Sequence, residues 1–369
     1  MAAAGGVPMN FVLNTLQHLQ TARFDTVIDA RAPAEYAEDH LPGAINLPVL
    51  DDDERARVGT IYKQDSPFTA RKLGAALVAQ NAARHLLGAL ADKPGDWQPL
   101  LYCWRGGQRS GSFATILRQI GWRAEVLEGG YKSYRKLVQT LLYDGTFPAP
   151  ILLIDGGTGS AKTEILARVA ARGGQVIDLE GLAVHRGSLF GGLTPQPSQK
   201  MFETHLAQAI CALDRTRPVL IEAESNRIGD IRLPPALWRA MQAAPRVQID
   251  APVAARAAYS LRAYSEFAEQ PDKLSTVIEG LRPYQPAAQI EAWRALATTG
   301  DFAILAESLI AAHYDPSYQR MRKGQQAVLR IALDDLSEKS QEIAADRIFQ
   351  QMIYRESESA IFSDTLTPR

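Results

Sequence analysis

The fold of the second half of the chain is indicated by residues 151–163, which read ILLIDGGTGSAKT. Residues 151–154 are all apolar and predict a short buried strand. The glycines that follow permit a tight loop, and residues 164–171 predict a helix. A strand, a glycine loop and a helix in this order direct backbone N–H groups toward one point, which is an arrangement that binds phosphate.

The loop also has the side chains of a Walker A motif. Lys162 would reach phosphate oxygens, and the Thr163 hydroxyl would bind phosphate or Mg²⁺. The predicted diphosphate-binding residues are Gly156, Gly157, Thr158, Gly159, Ser160, Ala161, Lys162 and Thr163. Ala161 stands where the motif has glycine, and its methyl group would crowd the loop if this position needs a positive φ.

Further strands are predicted at residues 176–178, 219–222 and 247–250, with helical stretches between them. This alternation is typical of a parallel sheet with crossover helices. An acid that ends a neighbouring strand would be the Walker B partner, although such carboxylates can also be plain surface charges. The candidate partners of the loop are Glu222, Glu224, Arg227, His185 and Arg186. No dedicated metal site and no firmly required cofactor is predicted.

A second loop, YCWRGGQRS at residues 102–110, follows a predicted strand at residues 100–103. Loop N–H groups, a helix N-terminus and nearby arginines would favour the thiolate of Cys103, which is the nucleophilic form. We predict that Cys103 is catalytic. The residues predicted to form its oxyanion loop are Trp104, Arg105, Gly106, Gly107, Gln108 and Arg109. Cys211 lies in a predicted helix, and we interpret it as a small packing residue.

A linker is predicted near residues 143–150, where two prolines and a glycine occur. The predicted class is α/β, with a first domain at 1–145, a phosphate-loop domain at 146–253 and a helical C-terminal region at 254–369 packed with the latter. No strand is predicted after residue 254.

Composition excludes several classes of protein. The 369 residues include 40 basic and 41 acidic side chains, so a globally basic nucleic-acid binder is excluded, whereas a local basic face is not. The sequence contains no run of 18 apolar residues, so it predicts no membrane span. The N-terminal stretch lacks the features of a secretory signal and there are only two cysteines, so we expect a cytoplasmic location. The oligomeric state stays open, with a monomer as one alternative.

The first third of the chain resembles the rhodanese-like domain. The resemblance lies in DARAPAEY at residues 29–36, HLPGAINLP at residues 40–48 and the Cys103 loop. It implies that the first two segments brace the loop and that the cysteine carries a chalcogen. Cys103 and Arg109 are six positions apart, which is the spacing of cysteine phosphatases. Such a loop could accept either a phosphatase substrate or a phosphorylated chalcogen donor.

The whole chain resembles the tRNA 2-selenouridine synthase family. Besides the two loops, the resemblance rests on ERARVGTIYK (54–63), HRGSLFG (185–191), EAESNRIG (222–229) and HYDPSY (313–318). It implies conversion of wobble 2-thiouridine in tRNA to 2-selenouridine with selenophosphate as donor. It also implies an S-geranyl-2-thiouridine intermediate made from geranyl diphosphate.

Contacts to tRNA are predicted from residue type alone and not from a motif. The cations that could follow tRNA phosphates are Arg256, Arg262, Arg282, Arg320, Arg322 and Lys323. The aromatic side chains that could stack on a base are Tyr259, Tyr264, Tyr284 and Tyr318. For each residue, an ordinary surface or packing role is an open alternative.

Two other functions remain open. The Cys103–Arg109 spacing also fits a cysteine phosphatase fused to a P-loop kinase-like module. A nucleotide-dependent RNA-binding protein without catalytic activity is the third reading, and it predicts that Cys103→Ser has no effect.

Overall fold

The computed structural model describes residues 10–186, 195–263, 271–321 and 326–364. The chain divides into two compact units. The first comprises Met1–Gly145 and Pro197–Cys211, and the second comprises Thr146–Gln196 and Ala212–Arg369. Each unit is built on a parallel sheet flanked by helices, so the predicted α/β class is confirmed.

The sheet of the first unit has the strand order β1-β5-β4-β2-β3, and its neighbours pair in parallel. These strands are β1 (Asn10–Phe11), β2 (Thr26–Asp29), β3 (Ala44–Asn46), β4 (Pro99–Tyr102) and β5 (Glu125–Leu127). The helices before residue 145 are α1 (Leu16–Thr21), α2 (Pro33–Glu38), α3 (Asp52–Gln64), α4 (Pro67–Leu87), α5 (Gln108–Ile120) and α6 (Gly130–Gln139), which continues into a π-helical turn at Thr140–Asp144. Ile28, Leu101 and Phe113 are fully buried in the core between sheet and helices.

The sheet of the second unit is also parallel, with the order β12-β11-β6-β8-β7. Its strands are β6 (Ile151–Gly156), β7 (Gln175–Ile177), β8 (Val219–Glu222), β11 (Arg246–Asp250) and β12 (Leu329–Ala332), and β9 (Arg227–Ile228) and β10 (Ile231–Arg232) form a separate antiparallel ribbon. The helices of this part of the sequence are α7 (Lys162–Ala171), α8 (Leu179–Ala183), α9 (Gln199–Cys211), α10 (Pro235–Ala243), α11 (Val253–Ala263), α12 (Pro271–Glu279), α13 (Ala287–Thr299), α14 (Phe302–Leu309), α15 (Asp315–Met321) and α16 (Glu338–Asp364), with a π-helical turn at Ile310–Tyr314.

Helix α9 groups with the first unit, whereas the sequence assigned it to the domain at 146–253. The physical reason is a buried polar cluster. The carboxylate of Glu203 is 1% exposed; it pairs with Arg135 on α6 and accepts a hydrogen bond from the Tyr143 hydroxyl at 2.6 Å. Phe202 and Leu206, on the same helix, are fully buried.

The expectation of no strand after residue 254 is wrong, because β12 completes one edge of the second sheet. Ile331 of β12 shares its core with Leu166 and Val169 of α7 and with Ile348 of α16. The C-terminal region therefore adds to the sheet domain itself. No helix in the described part of the chain has the length and apolar character needed to cross a membrane.

Candidate functional sites

The Cys103 loop connects β4 to α5 and rests on the turn before α6. Tyr131 N–H donates to the carbonyl oxygen of Cys103 at 2.9 Å. Gly106 and Gly130 both have positive φ, +64° and +58°. A Cβ atom at Gly106 would lie 2.4 Å from the carbonyl oxygen of Leu127, and one at Gly130 would lie 2.2 Å from that of Cys103. Glycine is therefore required at both positions, and the loop path is fixed by backbone packing.

Cys103 is 4% exposed, and its sulfur accepts hydrogen bonds from two nearby donors. Gly107 N–H lies 3.3 Å from Sγ, and the Ser110 hydroxyl lies 3.2 Å from it. Donors directed at a sulfur stabilise negative charge on it or on a group that it carries. The role of Ser110 was not predicted, although its position in the first turn of α5 could have suggested it.

Arg109, predicted as the oxyanion ligand, is held by a carboxylate from α2. Its Nη1 lies 2.7 Å from Glu35 Oε2, and Arg55 Nε lies 2.9 Å from the same oxygen. Burial acts to raise the pKa of Glu35, but the hydrogen bond from Arg109 and the two positive charges lower the pKa below its ordinary value. Trp104, Arg105, Gly107 and Gln108 are exposed around this loop.

The motif upstream of the loop acts as a buried support. Arg31 forms a salt bridge with Asp29 at 2.6 Å and lies 4.1 Å from the centre of the Tyr131 ring. Both charged groups are at most 1% exposed. Since Tyr131 also donates its backbone N–H to Cys103, this salt bridge is connected to the loop through one residue. His40 stacks on Tyr36, with 3.9 Å between ring centres.

The glycine loop lies between β6 and α7. Lys162 Nζ donates to the carbonyl oxygen of Gly156 at 3.1 Å, and the Thr163 hydroxyl donates to Glu222 Oε1 at 2.8 Å. Ala161 has a φ of +57° and is 3% exposed. The loop thus does need a left-handed residue where the sequence has alanine instead of glycine, and its methyl group is packed in the core.

Helix α11 supports the outer side of this loop. A Cβ atom at Gly157 would lie 2.3 Å from Arg256 Nη1. Arg256 is 6% exposed and pairs with Asp315 at 2.6 Å. The prediction of Arg256 as part of a tRNA-binding face is therefore wrong, because its guanidinium is buried behind the loop. Its Nη1 also donates to Thr158 O at 3.3 Å.

Carboxyl groups crowd the base of the glycine loop. Glu222 is fully buried, and its Oε2 accepts the backbone N–H of Glu180 at 3.3 Å. Burial, reinforced by neighbouring carboxylates, raises the pKa of Glu180 to about 9 and that of Glu222 to about 7. Burial also raises the pKa of Glu224. Glu180 was missed, although it follows β7, and the carboxyl ends of neighbouring parallel strands meet at one edge of a sheet.

The glycine loop opens into a cavity of about 890 Å³. Of the predicted partners, Glu224, His185 and Arg186 line this cavity, and Glu222 lies below it against Thr163. Burial lowers the pKa of His185. Arg227 is not among the lining residues. Its guanidinium donates to Gly229 O at 2.6 Å and to Asp230 at 2.8 Å, within the β9–β10 ribbon.

The remaining predicted contacts fall in different places. Tyr259 and Tyr318 line the cavity, Tyr284 is 70% exposed, and Arg282 is paired on the surface with Glu279 and Glu291. Arg262 and Arg320 are exposed. The predicted residues that lie outside the described ranges are Tyr264, Arg322, Lys323 and residues 187–191 of the HRGSLFG string.

Within the residues that the structure describes, no three His, Cys, Asp or Glu side chains are grouped so as to hold a metal ion. Cys211 is half-buried and lines a small cavity of about 80 Å³ in the first unit, beside Tyr134.

Two family models match the chain. Residues 13–137 match the rhodanese-like domain, and residues 149–285 match the tRNA 2-selenouridine synthase AAA domain. Among curated proteins, the tRNA 2-selenouridine synthase of Nitrosomonas europaea is 39% identical over 62% of this chain. That alignment spans 61% of the relative's own length.

Two further relatives align over longer stretches. The tRNA 2-selenouridine synthase of Alcanivorax borkumensis is 34% identical over 84% of this chain and 92% of its own length. That of Shewanella piezotolerans is 33% identical over 79% of this chain and 87% of its own length. Together with the two loops and their order, these alignments show that the chain belongs to the tRNA 2-selenouridine synthase family.

Proposed function

We propose that this chain converts wobble 2-thiouridine in tRNA to 2-selenouridine, with selenophosphate as donor and an S-geranyl-2-thiouridine intermediate made from geranyl diphosphate. The observation that carries the proposal is the glycine loop, which opens into a cavity large enough for a prenyl diphosphate. The relatives named as tRNA 2-selenouridine synthases and the donors directed at the Cys103 sulfur support it.

The first step would activate the sulfur at C2. A thiocarbonyl sulfur leaves poorly, whereas an alkylated sulfur leaves more readily. The sulfur attacks C1 of the geranyl group, a C–S bond forms, the C–O bond to diphosphate breaks, and the proton on N3 is lost. Lys162 and the loop N–H groups would stabilise the charge on the departing diphosphate. Thr163, which donates to Glu222 in the structure, would turn toward a phosphate oxygen or Mg²⁺.

The second step would deliver selenium. The selenium of selenophosphate attacks C2, a C–Se bond forms, the C–S bond breaks, and the geranylated sulfur leaves as a thiol with a proton from water. Water then attacks phosphorus, the P–Se bond breaks, and phosphate is released. Cys103 would position the selenophosphate for this attack, because its sulfur lies in a loop where the Gly107 N–H and Arg109 can hold a phosphorus oxyanion.

The test separates the two steps by mutation. Cys103→Ser is expected to abolish 2-selenouridine while S-geranyl-2-thiouridine accumulates. Lys162→Ala is expected to give little geranylation but some selenation of pre-geranylated tRNA. Nucleosides from each reaction are measured by liquid chromatography and mass spectrometry. Cys211→Ser is the matched control and is expected to keep nearly full activity.

Two outcomes would contradict this assignment. Wild-type yield of 2-selenouridine from Cys103→Ser would remove Cys103 from the reaction. Loss of geranylation in Cys103→Ser, with normal folding and tRNA binding, would replace two sites by one shared active site.

The phosphatase alternative retains one supporting observation, namely the Ser110 hydroxyl directed at a cysteine sulfur in a loop of phosphatase spacing. It predicts turnover of an aryl phosphate by the wild-type protein without tRNA, and loss of that turnover in Cys103→Ser. Absence of such turnover in a protein that selenates tRNA would eliminate it.

A further inference from the structure

The cavity at the glycine loop has a lining of two chemical kinds. One part consists of the loop itself with Glu180 and Glu224. A second part consists of apolar and aromatic side chains, namely Val184, Ala223, Tyr259, Ala263, Tyr314 and Tyr318, and polar residues such as His185, Arg186 and Ser225 line the rest. A ligand that fills this cavity therefore meets the phosphate-binding groups of the glycine loop and an apolar surface in the same space.

Val184 has an unusual backbone conformation. It follows α8 with a φ of 50° and a ψ of 45°, in the left-handed region that β-branched residues rarely adopt. Its side chain is also 47% exposed. Glycine or asparagine would fit this backbone with less strain, and a polar side chain would suit the exposure better. A strained and exposed apolar residue in the lining of a cavity points to a role in binding.

Tyr259 is held in a fixed relation to the glycine loop. It lies on α11 one helical turn after Arg256, so that both side chains lie on neighbouring positions of one helix face. Arg256 contacts the loop through Thr158 O, at 3.3 Å, and is fixed by its salt bridge to Asp315. The helix that supports the phosphate loop thus also carries an aromatic wall of the cavity.

We propose that Val184 and Tyr259 determine specificity for the hydrocarbon tail of the diphosphate substrate. This inference rests on the proposed function of the glycine loop as a diphosphate site. A prenyl diphosphate has one charged end and one apolar end, and the lining supplies a surface for each. A nucleotide with the same diphosphate would gain less from this apolar surface, because its ribose is polar.

The experiment measures binding of inorganic diphosphate, geranyl diphosphate and ADP by isothermal titration. Wild type is expected to bind geranyl diphosphate at least about tenfold more tightly than inorganic diphosphate, because the tail buries apolar surface. Val184→Asn and Tyr259→Ala are each expected to remove most of that gain, about fivefold to tenfold. Their affinities for inorganic diphosphate should stay within about twofold of wild type.

Two further variants keep the result interpretable. Val328→Asn is the matched control, since Val328 is 46% exposed and is absent from the cavity lining; it should bind all three ligands as wild type does. Tyr259→Phe keeps the aromatic ring and should keep the affinity for geranyl diphosphate. Circular dichroism verifies that each variant is folded, and Val184→Asn should fold well because asparagine tolerates this backbone.

The outcomes distinguish the inference from the function on which it rests. If wild type binds neither diphosphate, the glycine loop is not a diphosphate site and both proposals are overturned. If wild type binds inorganic and geranyl diphosphate equally, or if the variants lose affinity for both in parallel, only the assignment of Val184 and Tyr259 is overturned. Tight ADP binding that is lost in Tyr259→Ala would show that the wall accepts a nucleoside, which also overturns it.

Discussion

The Cys103 loop and the glycine loop are both turns between a parallel strand and a helix, but the carboxyl groups beside them differ in charge. Glu35, next to the first loop, contacts two arginines, and its pKa is lowered. Glu180 and Glu222 lie near each other at the base of the second loop, Glu180 half-buried and Glu222 fully buried, and their pKa values are raised. At neutral pH, Glu35 is therefore ionised and Glu180 is protonated.

This difference has a consequence for anion binding. An ionised Glu35 holds Arg109 in place and competes with an incoming oxyanion for it. A protonated Glu180 adds no negative charge to the cavity, so a diphosphate meets Lys162 and the loop N–H groups with less repulsion. An anion that binds at the first loop must therefore compete with an ionised acid, whereas an anion at the second loop meets a neutral one.

The largest expected effect is on diphosphate affinity at the second loop. Lys162→Ala should weaken binding of geranyl diphosphate and inorganic diphosphate by about 10- to 100-fold, because a charged hydrogen bond is worth roughly 1.5–3 kcal/mol. Thr163→Ala should weaken it less. Isothermal titration measures both, with exposed Lys339→Ala as the control. Unchanged affinity in both loop variants would place the diphosphate elsewhere.

The second effect is the pH dependence of stability at the glycine loop. The pKa of Glu180 is about 9 in the folded chain against an ordinary 4.5, so the wild type loses stability as pH rises from about 4.5 to about 9. Glu180→Gln removes this loss and should be more stable than wild type by about 1–3 kcal/mol at pH 9, but similar at pH 4. Urea unfolding at both pH values measures it.

Exposed Glu307→Gln is the control for that series, and its unfolding should follow the wild type at every pH. A constant difference between wild type and Glu180→Gln across the pH range would contradict a protonated Glu180.

The third effect has the opposite pH dependence. The pKa of Glu35 is lowered from 4.5, so its ion pairs stabilise the folded chain above about pH 4.5 and are lost as pH falls through the lowered value. Glu35→Gln should cost about 1 kcal/mol at pH 7 and less at an acidic pH below its lowered pKa. Glu38→Gln, which removes a more exposed ion pair to Lys200, should cost less at pH 7. The same cost of Glu35→Gln at both pH values would mean that packing, not charge, is lost.

The smallest effect concerns Ala161. Glycine would remove the strain of a left-handed alanine, which costs about 1 kcal/mol of folding free energy. It would also lose a buried methyl group, which stabilises the fold by about 0.8 kcal/mol. Ala161→Gly should therefore change the free energy of unfolding by less than about 0.5 kcal/mol, as measured by urea titration. A gain of 1 kcal/mol or more would show that the methyl group contributes nothing to the core.

Local patterns predicted most of the second sheet, because β6 and β8 are short apolar runs, β11 alternates apolar and polar residues, and each strand ends in an acid or a glycine. Local patterns failed where a residue's structural role depends on a contact with a residue far away in the sequence. In the strand β12, Arg330 interrupts the apolar residues, and only Ile331 is buried, so its sequence shows no unbroken apolar run. Arg256 reads as a surface cation until Asp315, 59 residues later, is placed beside it.

The two loops show the same limit. Within each loop the glycines lie close in sequence to the key side chain, Cys103 in the first loop and Lys162 in the second, so both loops were predicted from local spacing. The carboxyl cluster is assembled from the ends of β7 and β8, and Glu180 is recognised only when these strands are known to be neighbours. A pattern specifies which face of a helix is apolar but not the surface that covers it, which is why α9 was assigned to the wrong unit.

The placement of α9 also affects how the first unit folds during translation. Residues 1–145 leave the ribosome first, yet the helix that covers their buried face, with Phe202 and Leu206, ends only at Cys211. The first unit therefore cannot complete its core until the opening strands and helices of the second have already been translated. A truncation after residue 145 would leave apolar surface uncovered, and the nascent chain presents that same surface for the time needed to add 66 more residues.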